Sequence, residues 1–108
     1  MWISTNYGFF SVVKNTTKNS PREFTLRSRA RKHLEDTGIF EEIVELDECD
    51  YAYRMYVSKH QLSDWLLSVV DHINYDNFKD SVRDENLKKF YNEVWLDGWV
   101  ILGNSDEN

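Results

Sequence analysis

The first thirteen residues combine aromatic, aliphatic and small polar side chains, and no charged side chain precedes Lys14. Aromatic and β-branched residues are typical of strands, and Asn6-Tyr7-Gly8 interrupts them with residues that favour a turn. Residues 2–13 therefore predict either one bent strand or a hairpin of two strands. A segment of this composition is expected to lie in a sheet, which the later elements of the chain then cover.

Apolar and polar positions alternate in the middle of the chain, with the period of two that is typical of a strand. The stretch Tyr51 to Val57 predicts the clearest strand. Its two faces would be Tyr51, Tyr53, Met55 and Val57 on one side and Ala52, Arg54 and Tyr56 on the other. Residues 39–46 mix apolar and acidic side chains. They predict a short edge strand, because charged side chains on an edge discourage pairing between sheets.

Apolar spacing typical of helices occurs in two stretches before residue 74. Leu26, Ala30 and Leu34 recur every four residues, which predicts a helix from Leu26, with Thr25 as its N-cap and Gly38 after its end. Residues 62–73 predict the second helix, because their apolar residues recur at helical spacing. The spacing of Ser58 and Gln61 predicts a capping box at its start.

The last part of the chain predicts two more helical pieces and a terminal apolar segment. Residues 78–82 suggest one or two helical turns, and Asp84 is a suitable cap for a helix that Gly98 would end. The apolar run Trp99 to Leu102 then predicts a final strand or a tail packed in a groove.

The order of these elements predicts an α+β fold. It approximates the β-α-β-β-α-β plan, a ferredoxin-like antiparallel sheet covered by two to three helices. A chain of 108 residues is expected to form one domain, here residues 1–103, with a frayed tail at residues 104–108.

Composition narrows the classes of function. The net charge of −6 argues against non-specific binding to nucleic acid, and no apolar run is long enough to cross a membrane. Residues 1–14 lack the basic start and the cleavage site of a signal peptide. The single cysteine, Cys49, cannot form an internal disulfide, so we expect a cytoplasmic location.

Charge is distributed in two adjacent blocks. Residues 14–33 contain seven basic side chains and one acidic one, whereas residues 35–50 contain eight acidic side chains and no basic one. Two solvated or mutually neutralising faces would explain this pattern. The functional interpretation is an exposed acidic ridge that binds another protein and inhibits or sequesters it. The ridge would consist of Glu41, Glu42, Glu45, Asp47 and Glu48.

The basic block supports an alternative function, binding of a nucleotide or another small anion. On the predicted helix, Arg27 and Arg31 would share one face. Packing of that helix beside the central strand would bring them to Arg54. The predicted anion site consists of Arg27, Arg31, Lys32, Tyr53 and Arg54.

Two further segments contain candidate binding residues. The loop between the later helices carries Tyr75, Asn77 and Lys79, which would either contact a ligand or cap a helix corner. Trp99 and Ile101 would either close the sheet as a strand or form a homodimer interface.

Motifs of known catalytic and metal sites are missing from the chain. His33, His60 and His72 lie on separate segments without a zinc-binding spacing, and the glycines are isolated, so no phosphate loop is formed. Cys49 lies among acidic neighbours, which argues against a catalytic role for it. We therefore expect a non-enzymatic protein without a cofactor or a metal.

Several short motifs resemble one known family. They are Met-Trp-Ile-Ser-Thr with Gly-Phe-Phe-Ser-Val-Val at the start, Arg27-Ser28-Arg29-Ala30-Arg31, Asp50-Tyr51-Ala52-Tyr53-Arg54, Ile73-Asn74-Tyr75-Asp76-Asn77-Phe78-Lys79 and Tyr91-Asn92-Glu93-Val94-Trp95. Together they resemble a family of small bacterial proteins of uncharacterised function. The resemblance implies no catalytic residue, and residues 96–108 depart from the pattern of that family.

Overall fold

The computed structural model describes residues 1–103. The chain divides into two compact units, Met1–Asn74 and Tyr75–Asn108. The prediction of one domain over residues 1–103 stays a prediction, and the predicted frayed tail lies outside the described residues. The described part is α+β, with five strands and four helices.

The first unit contains an antiparallel sheet and two helices. Its elements are β1 (Trp2–Ser4), β2 (Phe9–Lys14), β3 (Phe24–Ser28), α1 (Arg31–Glu35), β4 (Val44–Glu45), β5 (Tyr53–Val57) and α2 (Lys59–Asp71). The strand order is β1-β2-β3-β5-β4, and every neighbouring pair is antiparallel. The ferredoxin-like plan is not confirmed, because three consecutive strands precede the first helix.

The opening residues form a hairpin, which decides between the two predicted alternatives. Trp2 lies opposite Ser11 and Ser4 opposite Phe9. The Thr5 hydroxyl accepts a hydrogen bond from the backbone N–H of Gly8 at 3.0 Å and donates to the Gly8 carbonyl. This side chain satisfies the backbone of the turn where the two strands are joined.

The prediction of a helix from Leu26 is wrong, because residues 24–28 form the central strand β3. This strand pairs with β2 on one side and with β5 on the other, so tertiary hydrogen bonding overrides the local pattern. A spacing of four is even, so it fits the period of a strand as well as that of a helix. Helix α1 begins only at Arg31, and Gly38 follows its end with a φ of 73°.

The other elements of the first unit lie close to the predicted positions. The predicted strand over residues 39–46 is reduced to Val44–Glu45, at the edge of the sheet as expected. The Ser58 hydroxyl accepts from the Gln61 N–H while the Gln61 side chain accepts from the Ser58 N–H. The predicted capping box is therefore confirmed at the start of α2.

The core lies between one face of the sheet and the helices α1 and α2. Its buried side chains are Phe10, Val12, Leu26, Leu34, Met55, Val57, Leu62 and Trp65. Phe10 contacts Trp65 edge-on, with ring centroids 4.8 Å apart. Trp65 Nε1 donates to the Tyr7 hydroxyl at 2.7 Å, which joins α2 to the hairpin turn. Burial raises the pKa of Tyr7 above its ordinary value, and the hydrogen bond from Trp65 opposes this shift.

The second unit is helical in its described part, with α3 (Phe78–Ser81) and α4 (Glu85–Leu102). Asp84 caps α4 as predicted, because its carboxylate accepts from the Leu87 N–H at 2.9 Å. The prediction that Gly98 ends this helix is wrong, and so is the predicted strand at Trp99 to Leu102. A glycine inside a helix costs only about 1 kcal/mol relative to alanine. The helix therefore continues to Gly103, whose φ is 73°.

Two glycine-to-alanine substitutions should change stability in opposite directions. A Cβ on Gly8 would lie 2.7 Å from Phe10 Cζ and 2.9 Å from His33 Cβ, both in packed surroundings. We expect Gly8→Ala to lower the free energy of unfolding by about 1–3 kcal/mol. A Cβ on Gly98 meets nothing within 4 Å, so Gly98→Ala should stabilise α4 by about 1 kcal/mol. Thermal melts followed by circular dichroism measure the stability of both variants. A change of the same sign in both would contradict these two expectations.

Candidate binding surfaces

The predicted acidic ridge lies at the edge of the sheet, and four of its five members are exposed. Glu42, Glu45, Asp47 and Glu48 form no ion pair within the described residues. Glu41 differs, because its carboxylate accepts from Arg22 Nη2 and from Gln61 Nε2, both at 2.8 Å. Glu41 is therefore held by hydrogen bonds within the chain, whereas the other four carboxylates are exposed to solvent.

Phe40 precedes these carboxylates in the chain, and the sequence patterns did not single it out. Its side chain is 98% exposed, the highest fraction for any large apolar side chain in residues 1–103. It borders two depressions in the surface, of about 270 Å³ towards Trp65 and about 610 Å³ towards Arg22. An apolar residue two positions after Gly38 and directly before two glutamates is typical of a loop, so only the fold reveals its exposure. We call residues 40–48 the acidic segment.

The predicted anion site is only partly assembled. Arg27 on β3 lies directly opposite Arg54 on β5. Because successive side chains in a strand alternate, both belong to the sheet face opposite the core, while their neighbours Leu26 and Met55 belong to the core. These two arginines do meet, but through strand pairing and not through the helix packing that was expected.

The other three predicted members of the anion site lie elsewhere. Arg31 and Lys32 are on α1, where they pair with Glu35 and Asp36 one helical turn away. Tyr53 packs against the core, on the face opposite Arg54. The prediction that these residues share one pocket with Arg27 and Arg54 is wrong, because Arg27 is not on the helix.

A different tyrosine accompanies the two arginines. The Arg27 guanidinium lies 4.9 Å from the centroid of the Tyr51 ring, and the Arg29 guanidinium lies 4.4 Å from it. Arg54 Nη2 donates to the Tyr51 carbonyl at 3.2 Å. We call Arg27, Arg29, Tyr51 and Arg54 the arginine cluster. The alternation predicted Tyr51 on the face of Tyr53, but Tyr51 precedes β5 and its ring lies against Arg27 and Arg29.

The loop candidates have structural contacts within the second unit. Asn77 caps α3 by accepting from the Asp80 N–H at 3.1 Å, which matches the structural alternative. Lys79 Nζ lies 4.0 Å from the Trp95 ring centroid, and Tyr75 contacts Phe78 at 5.9 Å between centroids. These contacts explain the three side chains without a ligand.

The dimer candidates lie on the last turns of α4. Trp99 is 56% exposed and Ile101 is 76% exposed. They belong to a larger exposed apolar set on this helix, which we call the α4 apolar surface. It consists of Val94, Trp95, Leu96, Trp99, Val100, Ile101 and Leu102.

The described residues form neither a metal-binding cluster nor a membrane-spanning helix. Residues 1–103 contain no cluster of three or more His, Cys, Asp or Glu side chains arranged to hold a metal ion. None of the helices in the described part combines the length and apolarity needed to cross a membrane.

Comparison with known proteins adds no relative. The chain matches no protein-family model, no curated protein sequence and no solved structure.

Proposed function

We propose that this chain is a small, non-catalytic regulatory protein that binds a basic protein partner through the acidic segment and thereby inhibits or sequesters it. The observation that carries this proposal is Phe40, which is 98% exposed at the start of a segment with four exposed carboxylates that form no ion pair in the described residues. The proposed site of action is the cytoplasm, in keeping with the single free cysteine, Cys49.

Phe40 and the carboxylates would contribute in different ways. An aromatic side chain that enters a pocket on a partner contributes much of the binding energy of an interface. Exposed carboxylates mainly steer a basic partner and raise the association rate. Glu41 supports both, because its bonds to Arg22 and Gln61 hold the backbone next to Phe40.

Site-directed photo-crosslinking tests the proposal. A photo-reactive phenylalanine analogue at position 40 should capture a specific protein, which is then purified and titrated against the unmodified chain. The variant Glu42→Lys, Glu45→Lys, Asp47→Lys, Glu48→Lys should lower the affinity at least tenfold, since like charges would face each other across the interface. Glu41 is kept because its hydrogen bonds belong to the fold.

The matched control places the same analogue at Leu67, which is 63% exposed on α2. Capture from position 40 alone, with weaker binding by the charge-reversed variant and at raised salt, supports the proposal. The same proteins captured from both positions, or unchanged affinity after charge reversal, would refute it.

A further inference from the structure

We propose that the arginine cluster binds the phosphate group of a small molecule on the face of the sheet that is turned away from the core. The first observation is the pairing of Arg27 with Arg54, two positive charges directly opposite each other on adjacent strands. Like charges in this arrangement destabilise a sheet. A bound anion would remove that repulsion.

The second observation is independent of the register. The Nε–H groups of both Arg27 and Arg54 are buried and have no hydrogen-bond partner. A buried donor that is left unsatisfied is costly, and a missing ion is one of its recognised explanations. Both orphaned donors belong to the same facing pair of residues.

The contacts that are present leave these in-plane donors free. The guanidinium carbons of Arg27 and Arg29 lie over the Tyr51 ring, 4.9 and 4.4 Å from its centroid, a contact that occupies none of their N–H donors. Hydrogen bonds from a guanidinium leave along its edge. No carboxylate within residues 1–103 forms an ion pair with Arg27, Arg29 or Arg54. The ring therefore fixes the guanidinium groups without neutralising them.

The chemistry of the cluster favours phosphate over a simple carboxylate. The paired arginines Arg27 and Arg54 match a group with a charge of about −1.5 to −2 and three acceptor oxygens better than one with a single charge. Ser11 helps to position Arg27, since its Oγ accepts from Arg27 Nη2 at 2.6 Å. The arginine fork binds such oxygens in a bidentate manner.

Titration at constant ionic strength tests the proposal. Inorganic phosphate, adenosine monophosphate and acetate are each added to the full chain, and thermal stability and heat of binding are recorded. We expect phosphate to raise the Tm by on the order of 10 °C at a hundredfold excess over its Kd, and acetate to leave it unchanged. Equal affinity for phosphate and the nucleotide identifies phosphate as the recognised group, while tighter nucleotide binding identifies a nucleotide.

Variants separate a built site from general charge. Arg54→Gln should weaken phosphate binding roughly tenfold or more, because it removes a charged donor. Arg31→Gln removes the same charge from α1, where Arg31 pairs with Glu35, and should leave binding unchanged. Arg54→Lys retains the charge and should weaken binding because the fork is lost. No response to phosphate, an equal response to acetate, or equal losses in Arg31→Gln and Arg54→Gln would overturn the proposal. If Arg54→Gln does not fold, the wild-type titrations and Arg54→Lys still decide.

Discussion

Phe10→Ala is expected to lower the free energy of unfolding of residues 1–74 by about 3–5 kcal/mol. Phe10 is 0% exposed and contacts the rings of Tyr7, His33 and Trp65, with centroid distances of 6.1, 6.2 and 4.8 Å. Truncation removes all three ring contacts and leaves a cavity between the sheet and α2. Since small domains are stable by only about 5–15 kcal/mol, the loss is a large share of the total.

Urea denaturation followed by circular dichroism measures this loss, and the chain provides a matched control. Phe40→Ala is the same substitution at a side chain that is 98% exposed, so it should change the free energy of unfolding by no more than about 0.5 kcal/mol. A similar loss in both variants would mean that Phe40 is covered in solution and would also weaken the proposed role of the acidic segment.

The second large effect concerns self-association through the α4 apolar surface. Soluble monomers seldom expose so many neighbouring apolar side chains, and a two-fold dimer would bury part of this set. We expect light scattering at micromolar concentration to give a mass about twice 12.9 kDa. Trp99→Asp with Ile101→Asp should raise the dimer Kd roughly 1000-fold, if each residue contributes about 2 kcal/mol.

The control for this double variant adds the same two charges elsewhere on the helix. Asn86→Asp with Asn92→Asp changes exposed polar positions of α4 and should leave the dimer intact. A wild-type chain that stays monomeric at these concentrations would reject the dimer. Unfolding of the Trp99 and Ile101 variant would instead assign this segment to the core and place any dimer interface elsewhere.

Local signals predicted the fold wherever they had one physical interpretation. The capping box at Ser58 specified the start of α2, because both of its hydrogen bonds are local. The alternation from Tyr53 to Val57 specified β5 for the same reason. Leu26 was misassigned because a spacing of four residues fits both periods, and only pairing on both sides decides between them.

The candidate sites were less predictable, since they depend on which strands become neighbours. Arg27 and Arg54 were both singled out from the sequence, but their meeting depends on the register between β3 and β5. Tyr53 was chosen as their aromatic companion, whereas Tyr51 has that position because it precedes the regular strand. Arg27 and Arg54 are 27 residues apart in the chain, and a sequence pattern does not specify the register between strands so far apart.

The central position of β3 has a consequence for the growing chain. Synthesis from the N-terminus completes β1, β2 and β3 before residues 53–57 exist, so the edge of β3 that pairs with β5 is unpaired until then. Open edges that carry apolar side chains such as Leu26 are templates for aggregation, and a charged side chain on the edge opposes it. We expect the charge of Arg27 to oppose such pairing until β5 has been made.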